Sequence, residues 1–276
     1  GGYNIRCLLV KLHFPTLFIT VMPLTAQELD EYVCANFMAM SDDPEPVPMK
    51  VSAKDWLDKE DVSTTVKLNE FEGGLDGYGI FLENVLTRDE CKRIITETEA
   101  IGYGHLGKGG TGTAYRGNHR VQVDDTDGVM GERIWERIKA YIPEVERLPD
   151  EEGSFVYHGM NSRYRFAKYF AGQGFALHKD KPTIYEKEIC SIYTVNIYLN
   201  DLTEEQGGRT RFFKSMMGKQ DPVLTAGGIA GSVLIFKQSL APFSPVHDGG
   251  ILHSGVKYLM RTDVIYKHKT DSTSEK

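Results

Sequence analysis

Apolar positions in this chain keep a helical spacing through its first half and change to strand-like alternation from Ser154 onward. In the first half, Thr25 precedes Leu29, Tyr32 and Val33, and Glu28 completes a capping box, which predicts a helix. The acidic, proline-rich stretch Ser41–Pro48 ends it and reads as a stiff, exposed connector. Upstream, the apolar run Cys7–Met22 is broken by Lys11, His13 and Pro15, too short and too interrupted for a membrane span. Two short strands around Pro15 are expected there. Tyr78–Leu82 then reads as a strand, and Thr87 with Glu90 forms a second capping box opening a helix toward Ile101. A glycine-rich loop, Gly102–Gly117, separates that helix from Val129–Tyr141. There Ile134, Trp135, Ile138 and Tyr141 repeat as on one helical face, and Pro143 stops the run.

Beyond Ser154 the alternation predicts strands over Tyr164–Tyr169, Ser191–Leu199, Thr210–Phe213, Ser232–Phe236 and Val256–Tyr266. Helices first and antiparallel strands afterwards indicate an α+β fold with helices packed on a β-sandwich. Three segments follow: an N-terminal extension with its connector over 1–72, a catalytic-type domain over 73–268, and a disordered polar tail over 269–276. The formal net charge of −7 weighs against a nucleic-acid binder, which needs a basic face. Four dispersed cysteines with no CxxC pair suit buried free thiols, which points to an intracellular chain, cytoplasmic or nuclear. No membrane partner is expected, and oligomeric state is not legible.

The chemistry starts at His178-Lys-Asp180. Residues two apart on an extended segment point the same way, so an imidazole and a carboxylate can share one cation. A second histidine downstream would complete a two-histidine, one-carboxylate facial triad, the arrangement of non-haem iron(II) oxygenases. Alone, an H-x-D step is more often a polar dipeptide at a turn. Here it stands in an ordered series: Tyr169-Phe-Ala-Gly172, His178-x-Asp180, Tyr198-Leu-Asn200, Gly207-Gly-Arg-Thr-Arg-Phe212, Gly231-Ser-Val-Leu-Ile-Phe236, His247 and Gly255-Val-Lys257.

That series resembles the prolyl 4-hydroxylase-like branch of the 2-oxoglutarate- and iron(II)-dependent dioxygenases, over about residues 78–268. The resemblance implies a double-stranded β-helix, a distorted jelly roll with supporting helices. It implies iron(II) held by His178, Asp180 and His247, with 2-oxoglutarate and dioxygen as co-substrates and ascorbate as a further requirement. His253 competes with His247, but the family places a basic co-substrate anchor about ten residues beyond the distal histidine, where Lys257 stands. Arg261, on the same strand face, is the alternative or assisting anchor. Tyr198 matches a position whose hydroxyl touches 2-oxoglutarate. Tyr169 and Thr210 are further candidates for that pocket, with the plain alternative that both tyrosines are core aromatics. Arg116, Asn118 and Arg120 fall in a region that in these enzymes is a mobile loop over the substrate; a solvated loop is the alternative. His105, His119, His158 and His268 read as surface or structural. The implied activity is hydroxylation of a prolyl residue in a protein or peptide, with a free amino acid or other small metabolite as the second reading. A catalytically inactive jelly-roll scaffold, or a non-redox metal protein of the same shape, is the reading of another class.

Overall fold

The computed structural model describes residues 47–59, 65–69, 79–104, 117–147, 153–216, 221–238 and 245–270. The expectations for Cys7–Met22, the Thr25 helix, most of the acidic connector, the loop over 105–116 and the last six residues lie outside them.

The described residues form two sheets. The larger has the order β1 (Met49–Val51), β4 (His119–Asp125), β7 (Arg163–Phe170), β15 (Val256–Lys269), β10 (Ile189–Tyr198), β13 (Val233–Lys237), β3 (Gly79–Glu83) and β2 (Lys67–Asn69). Off this path, β6 (Ser154–Met160) pairs with β15, β5 (Val145–Glu146) with β6, and β9 (Ile184–Glu186) with β10. The smaller sheet has the order β12 (Leu224–Ala226), β11 (Thr210–Phe213), β14 (Val246–Gly249) and β8 (Phe175–His178). All these pairings are antiparallel except that of β1 with β4.

Period-two alternation decides which side chains build the core and which face the smaller sheet. Val195 and Ile197 of β10, Val233 and Ile235 of β13, and Met260, Val264 and Tyr266 of β15 join one large apolar cluster. That cluster takes in the buried faces of α1 (Arg88–Ile101), through Cys91 and Ile94, and α2 (Val129–Ile138), through Met130, Ile134 and Ile138. Each large side chain buried there contributes about 1.5–3 kcal/mol of transfer free energy. The alternate residues Tyr198, Leu234 and Phe236 meet Phe212 and Ala226 of the smaller sheet in a second cluster. One set of strands thus supplies both the core and the lining of the inter-sheet space. Among the described residues no helix is long and apolar enough to cross a membrane.

Most of the expected elements are present, with ends shifted by a few residues. The second capping box is observed in full: the Thr87 hydroxyl accepts from Glu90 N, and the Glu90 carboxylate accepts from Thr87 N. Two expectations need correction. The boundary at residue 72 does not separate an extension from the domain, because β1 pairs with β4 and β2 with β3. Trp56, Leu57 and Val66 also sit in the main cluster. The segment ending at Arg120 is not all loop either: from His119 it is strand β4, paired along β7. Its alternation reads as polar because Arg120 and Gln122 face inward to a polar site, while Val121 and Val123 enter the apolar cluster. Cys91 and Cys190 are buried free thiols, as expected; Cys7 and Cys34 lie outside the described residues.

Helix α1 is fastened to α2 by a buried ion pair. Glu90 accepts Arg137 Nη1 and Nη2 at 2.9 and 2.7 Å and also takes Asp58 N at 2.7 Å. Burial alone would raise the Glu90 carboxyl, but Arg137 and the two backbone donors hold it below its ordinary value. Glu90→Ala leaves Arg137 charged and buried without its partner. It is expected to cost about 3–5 kcal/mol in urea unfolding, and a joint change to Glu90→Gln and Arg137→Met clearly less than that. Equal losses in both variants would show that the pair is not the source of the cost.

Candidate metal centre

Strands β8 and β14 pair so that His178 and His247 stand directly opposite each other. Their rings lie 4.2 Å apart between centroids. His178 Nδ1 contacts the carbonyl of Ala176 at 2.7 Å, and His247 Nδ1 that of Pro245 at 3.1 Å. A carbonyl can only accept, so each neutral ring carries its proton on Nδ1 and presents the Nε2 lone pair. Both Nε2 atoms face Asp180, at 3.5 Å from Oδ1 for His178 and 3.8 Å from Oδ2 for His247. One donor atom from each of the three residues falls within 4.8 Å of the others.

Burial would raise the Asp180 carboxyl, yet Arg261, with His178 and His247 beside it, holds it well below the ordinary carboxylate range. For His247, burial foremost, and His178 after it, push the imidazole down to about 3, so it is neutral near pH 7. Two lone pairs and a carboxylate therefore come together, an arrangement that could hold a metal cation. Two imidazole nitrogens and one carboxylate oxygen suit a divalent transition metal such as iron(II), and three protein donors leave coordination positions open. The residues fit the ion.

Asp180 is held by a buried polar network. Thr194 Oγ1 donates to Asp180 Oδ2 at 2.8 Å, and Arg261 Nη1 to Oδ1 at 3.0 Å. Gln238 Nε2 donates to both Thr194 Oγ1, at 3.0 Å, and Asp263 Oδ1, at 2.8 Å. Asp263, fully buried, also accepts from Arg165 at 3.1 Å, Asn161 at 3.1 Å and Arg261 at 3.3 Å. Sequence reasoning missed Thr194, Gln238, Asp263, Arg165 and Asn161. The one available signal was the presence of polar residues inside alternating strands, which marks a polar face without saying what it faces.

The three donors open into a cavity enclosing about 600 Å³ with its mouth, lined also by Tyr169, Thr210, Lys257 and Arg261. Lys257 stands opposite Tyr169 in the register of β15 and β7. It is 2% exposed, and its ammonium makes no hydrogen bond or ion pair among the described residues. Its ammonium lies 4.9 Å from the ring centre of Tyr169 and 5.9 Å from that of Tyr198, contacts that favour a cation. Burial pushes it down to about 8, against a smaller opposing pull from Asp248. Asp248 is itself engaged by Arg211 Nε and Nη2 at 3.0 and 2.8 Å. Tyr198 donates to Thr210 Oγ1 at 2.7 Å beneath this pocket. Gly227, at φ +104°, packs on the Tyr198 ring so closely that a Cβ would come within 2.5 Å of it.

The other expected residues sort as follows. Arg261 lines the cavity, but its guanidinium is committed to Asp180 and Asp263. Asn118 and Arg120 are buried and line the cavity too, and Arg116 lies outside the described residues. His253 is exposed and away from the centre, its backbone N–H donating to Gln206 O. His119 packs edge-on to Phe170, His268 packs on Phe155, and His158 is exposed; His105 lies outside the described residues.

No family model matches the sequence, and no curated protein sequence does. Among solved structures, the chain is similar to a prolyl hydroxylase from Trichoplax adhaerens in complex with a hypoxia inducible factor oxygen degradation domain peptide fragment. The TM-score is 0.50 at 16% identity, over 70% of this chain and 86% of that one. It is also similar to a viral collagen prolyl hydroxylase from Paramecium Bursaria Chlorella virus-1, with TM-score 0.46 and 17% identity over 70% and 98% of the two chains. A Pseudomonas putida prolyl-4-hydroxylase gives TM-score 0.46 and 14% identity over 71% and 95%. At such identities the likeness is one of fold, carried by the Trichoplax structure.

A buried ammonium that makes no ion pair among the described residues destabilises the ligand-free protein. Lys257→Met is expected to raise its stability at pH 7 by about 1–3 kcal/mol in urea unfolding. The folded value of about 8 lies below the ordinary 10.5, so between them the unfolded chain binds more protons. The parent protein therefore gains stability as pH rises through that window, and its deficit against the variant narrows. A loss of stability in the variant with no such trend would mean that the ammonium is satisfied within the protein.

Proposed function

We propose that this chain is an iron(II)- and 2-oxoglutarate-dependent hydroxylase on a double-stranded β-helix, acting on a prolyl residue of a protein or peptide. One observation carries the reading: three metal-type donors converge in the same cavity as a buried lysine that makes no ion pair among the described residues. Two facing sheets and the likeness to the Trichoplax fold support the β-helix.

His178, Asp180 and His247 would hold the metal, which, when bound, supplies dioxygen activation coupled to oxidative decarboxylation of 2-oxoglutarate to succinate and carbon dioxide. Lys257 would receive the far carboxylate of 2-oxoglutarate, an ion pair strengthened by the low dielectric of its pocket. The neighbouring Tyr198 and Thr210 hydroxyls, bonded to each other, provide polar contacts to the same group. Arg261 keeps Asp180 ionised and oriented, which favours Lys257 over Arg261 as the anchor.

The peptide reading draws support from two buried carboxamides. Asn118 Oδ1 and Asn196 Oδ1 both lie at the cavity and have no hydrogen-bond partner among the described residues. Each is an acceptor suited to an N–H donor of a peptide backbone. The Trichoplax enzyme, whose fold this chain shares, is a prolyl hydroxylase in complex with a peptide.

Purified protein with iron(II), ascorbate and 2-oxoglutarate is expected to form succinate, and His178→Ala or Asp180→Ala to abolish it. Lys257→Gln should raise the half-saturating 2-oxoglutarate concentration by more than about tenfold, since it truncates one partner of a buried charge pair. In the parent enzyme, 2-oxoglutarate affinity should fall as pH rises above about 8, where the free ammonium loses its proton. Mass spectrometry of proline-containing peptides should find a product heavier by one oxygen atom. Parent-like succinate formation in either ligand variant would contradict the metal assignment; unchanged 2-oxoglutarate saturation in Lys257→Gln would contradict the anchor.

A further inference from the structure

A second cavity adjoins the first across Asp180, Arg165 and Arg261, which line both. It encloses about 680 Å³ with its mouth, and its other walls are Gln122, Arg163, Lys181 and Thr183. Four cations thus surround one space in a chain whose net charge is −7.

The arrangement of the arginines is built into the sheet register. Arg165 stands directly opposite Arg261 across β7 and β15, and Arg163 is two residues along the same face. Like charges directly opposed on a sheet repel, so such a row persists only with counter-charge. Asp263 bridges Arg165 and Arg261, and Asp124 grips Arg163 at 2.7 and 3.0 Å. These bonds immobilise the guanidinium planes and, among the described residues, leave Arg163 Nη1 and Arg165 Nη2 out of them. Lys181 is exposed and makes no ion pair or hydrogen bond among the described residues. Of the three carboxylates that offset the four cations, Asp180 is the one a metal would engage, which leaves the cavity short of negative charge. Next to it, Ile184 and Tyr185 of β9 are 69% and 42% exposed, an apolar rim beside the cationic walls.

We propose that this cavity is an anion subsite, which takes a carboxylate or phosphate group carried by the molecule oxidised at the His178–Asp180–His247 centre. The remaining guanidinium donors, held in fixed planes, and the Lys181 ammonium suit either group, and the apolar rim suits the flanking part of a peptide. The substrate class that follows is an acidic or phosphorylated peptide. The inference rests on the hydroxylase reading for the meaning of the neighbouring site.

The test uses short proline peptides carrying Glu, Gln or phosphoserine in turn at each position around the proline, titrated into the metal-free protein at low salt. At one offset the Glu or phosphoserine peptide should bind at least about tenfold more tightly than its Gln counterpart, with inorganic phosphate as a competitor. A larger preference for phosphoserine than for Glu identifies a phosphate as the source, and the reverse a carboxylate. Arg163→Gln with Lys181→Gln should remove the preference. So should Lys181→Glu alone, which reverses one exposed charge and breaks no ion pair, so a folding defect is not a concern. Peptides that bind alike at every offset, or a preference that survives both variants, would overturn the subsite. Succinate formation is measured alongside: its absence in the parent enzyme, with the acidic preference intact, would defeat the hydroxylase reading and leave the subsite standing.

Discussion

Asp180 is a carboxylate taken almost wholly out of water, and everything at the centre depends on its staying ionised there. An isolated buried carboxylate would take up a proton, which would cost the site its one anionic donor. Arg261 prevents this from one side and Thr194 orients the group from another, while both imidazoles turn lone pairs toward it. Arg261 is in turn steadied by Asp263, and Asp263 by Gln238, Arg165 and Asn161. The position of one carboxylate is thus set by side chains from β7, β10 and β15 and from the ends of β6 and β13. A network this densely bonded is rigid, and rigidity is what a metal centre needs from its surroundings.

The same strands that form this network also form the core. On β10, Val195 and Ile197 pack among the helices, while Thr194 bonds Asp180, Asn196 lines the cavity and Tyr198 joins the inter-sheet cluster. On β15, Met260 and Val264 alternate with Lys257, Arg261 and Asp263 in the same way. Stability and site geometry are therefore coupled through the pleat: a slip of one residue in register would exchange apolar and polar faces together. Lys257 shows the cost of this arrangement. It is a cation kept in an apolar setting and balanced only in part by the π faces of Tyr169 and Tyr198, a strain that a carboxylate ligand would relieve.

Local signals were legible where they were self-contained. The Thr87–Glu90 capping box, the amphipathic run from Val129 and the strand Thr210–Phe213 all depend on neighbours in sequence, and all appear. His178, Asp180, His247 and Lys257 were singled out through an ordered series of motifs, and the structure gathers them at one cavity. What could not be read was long-range. Strand β4 looked like a loop because Arg120 and Gln122 alternate with only two valines. Residues 49–69 looked like an extension because β1 and β2 are three residues each and gain their meaning only from β4 and β3. Asp263 and Gln238 carry no motif at all; their role exists only once four strands are laid side by side.

The central claim is that three side chains and one buried lysine compose a single metal and co-substrate centre. Anomalous diffraction at the iron edge, on crystals soaked anaerobically with iron(II) and 2-oxoglutarate, tests it most directly. The account predicts one strong peak within bonding distance of His178 Nε2, His247 Nε2 and an Asp180 oxygen, with the far carboxylate of 2-oxoglutarate against Lys257 Nζ. An iron peak elsewhere, or a co-substrate whose carboxylate sits on Arg261 with Lys257 left alone, would contradict it.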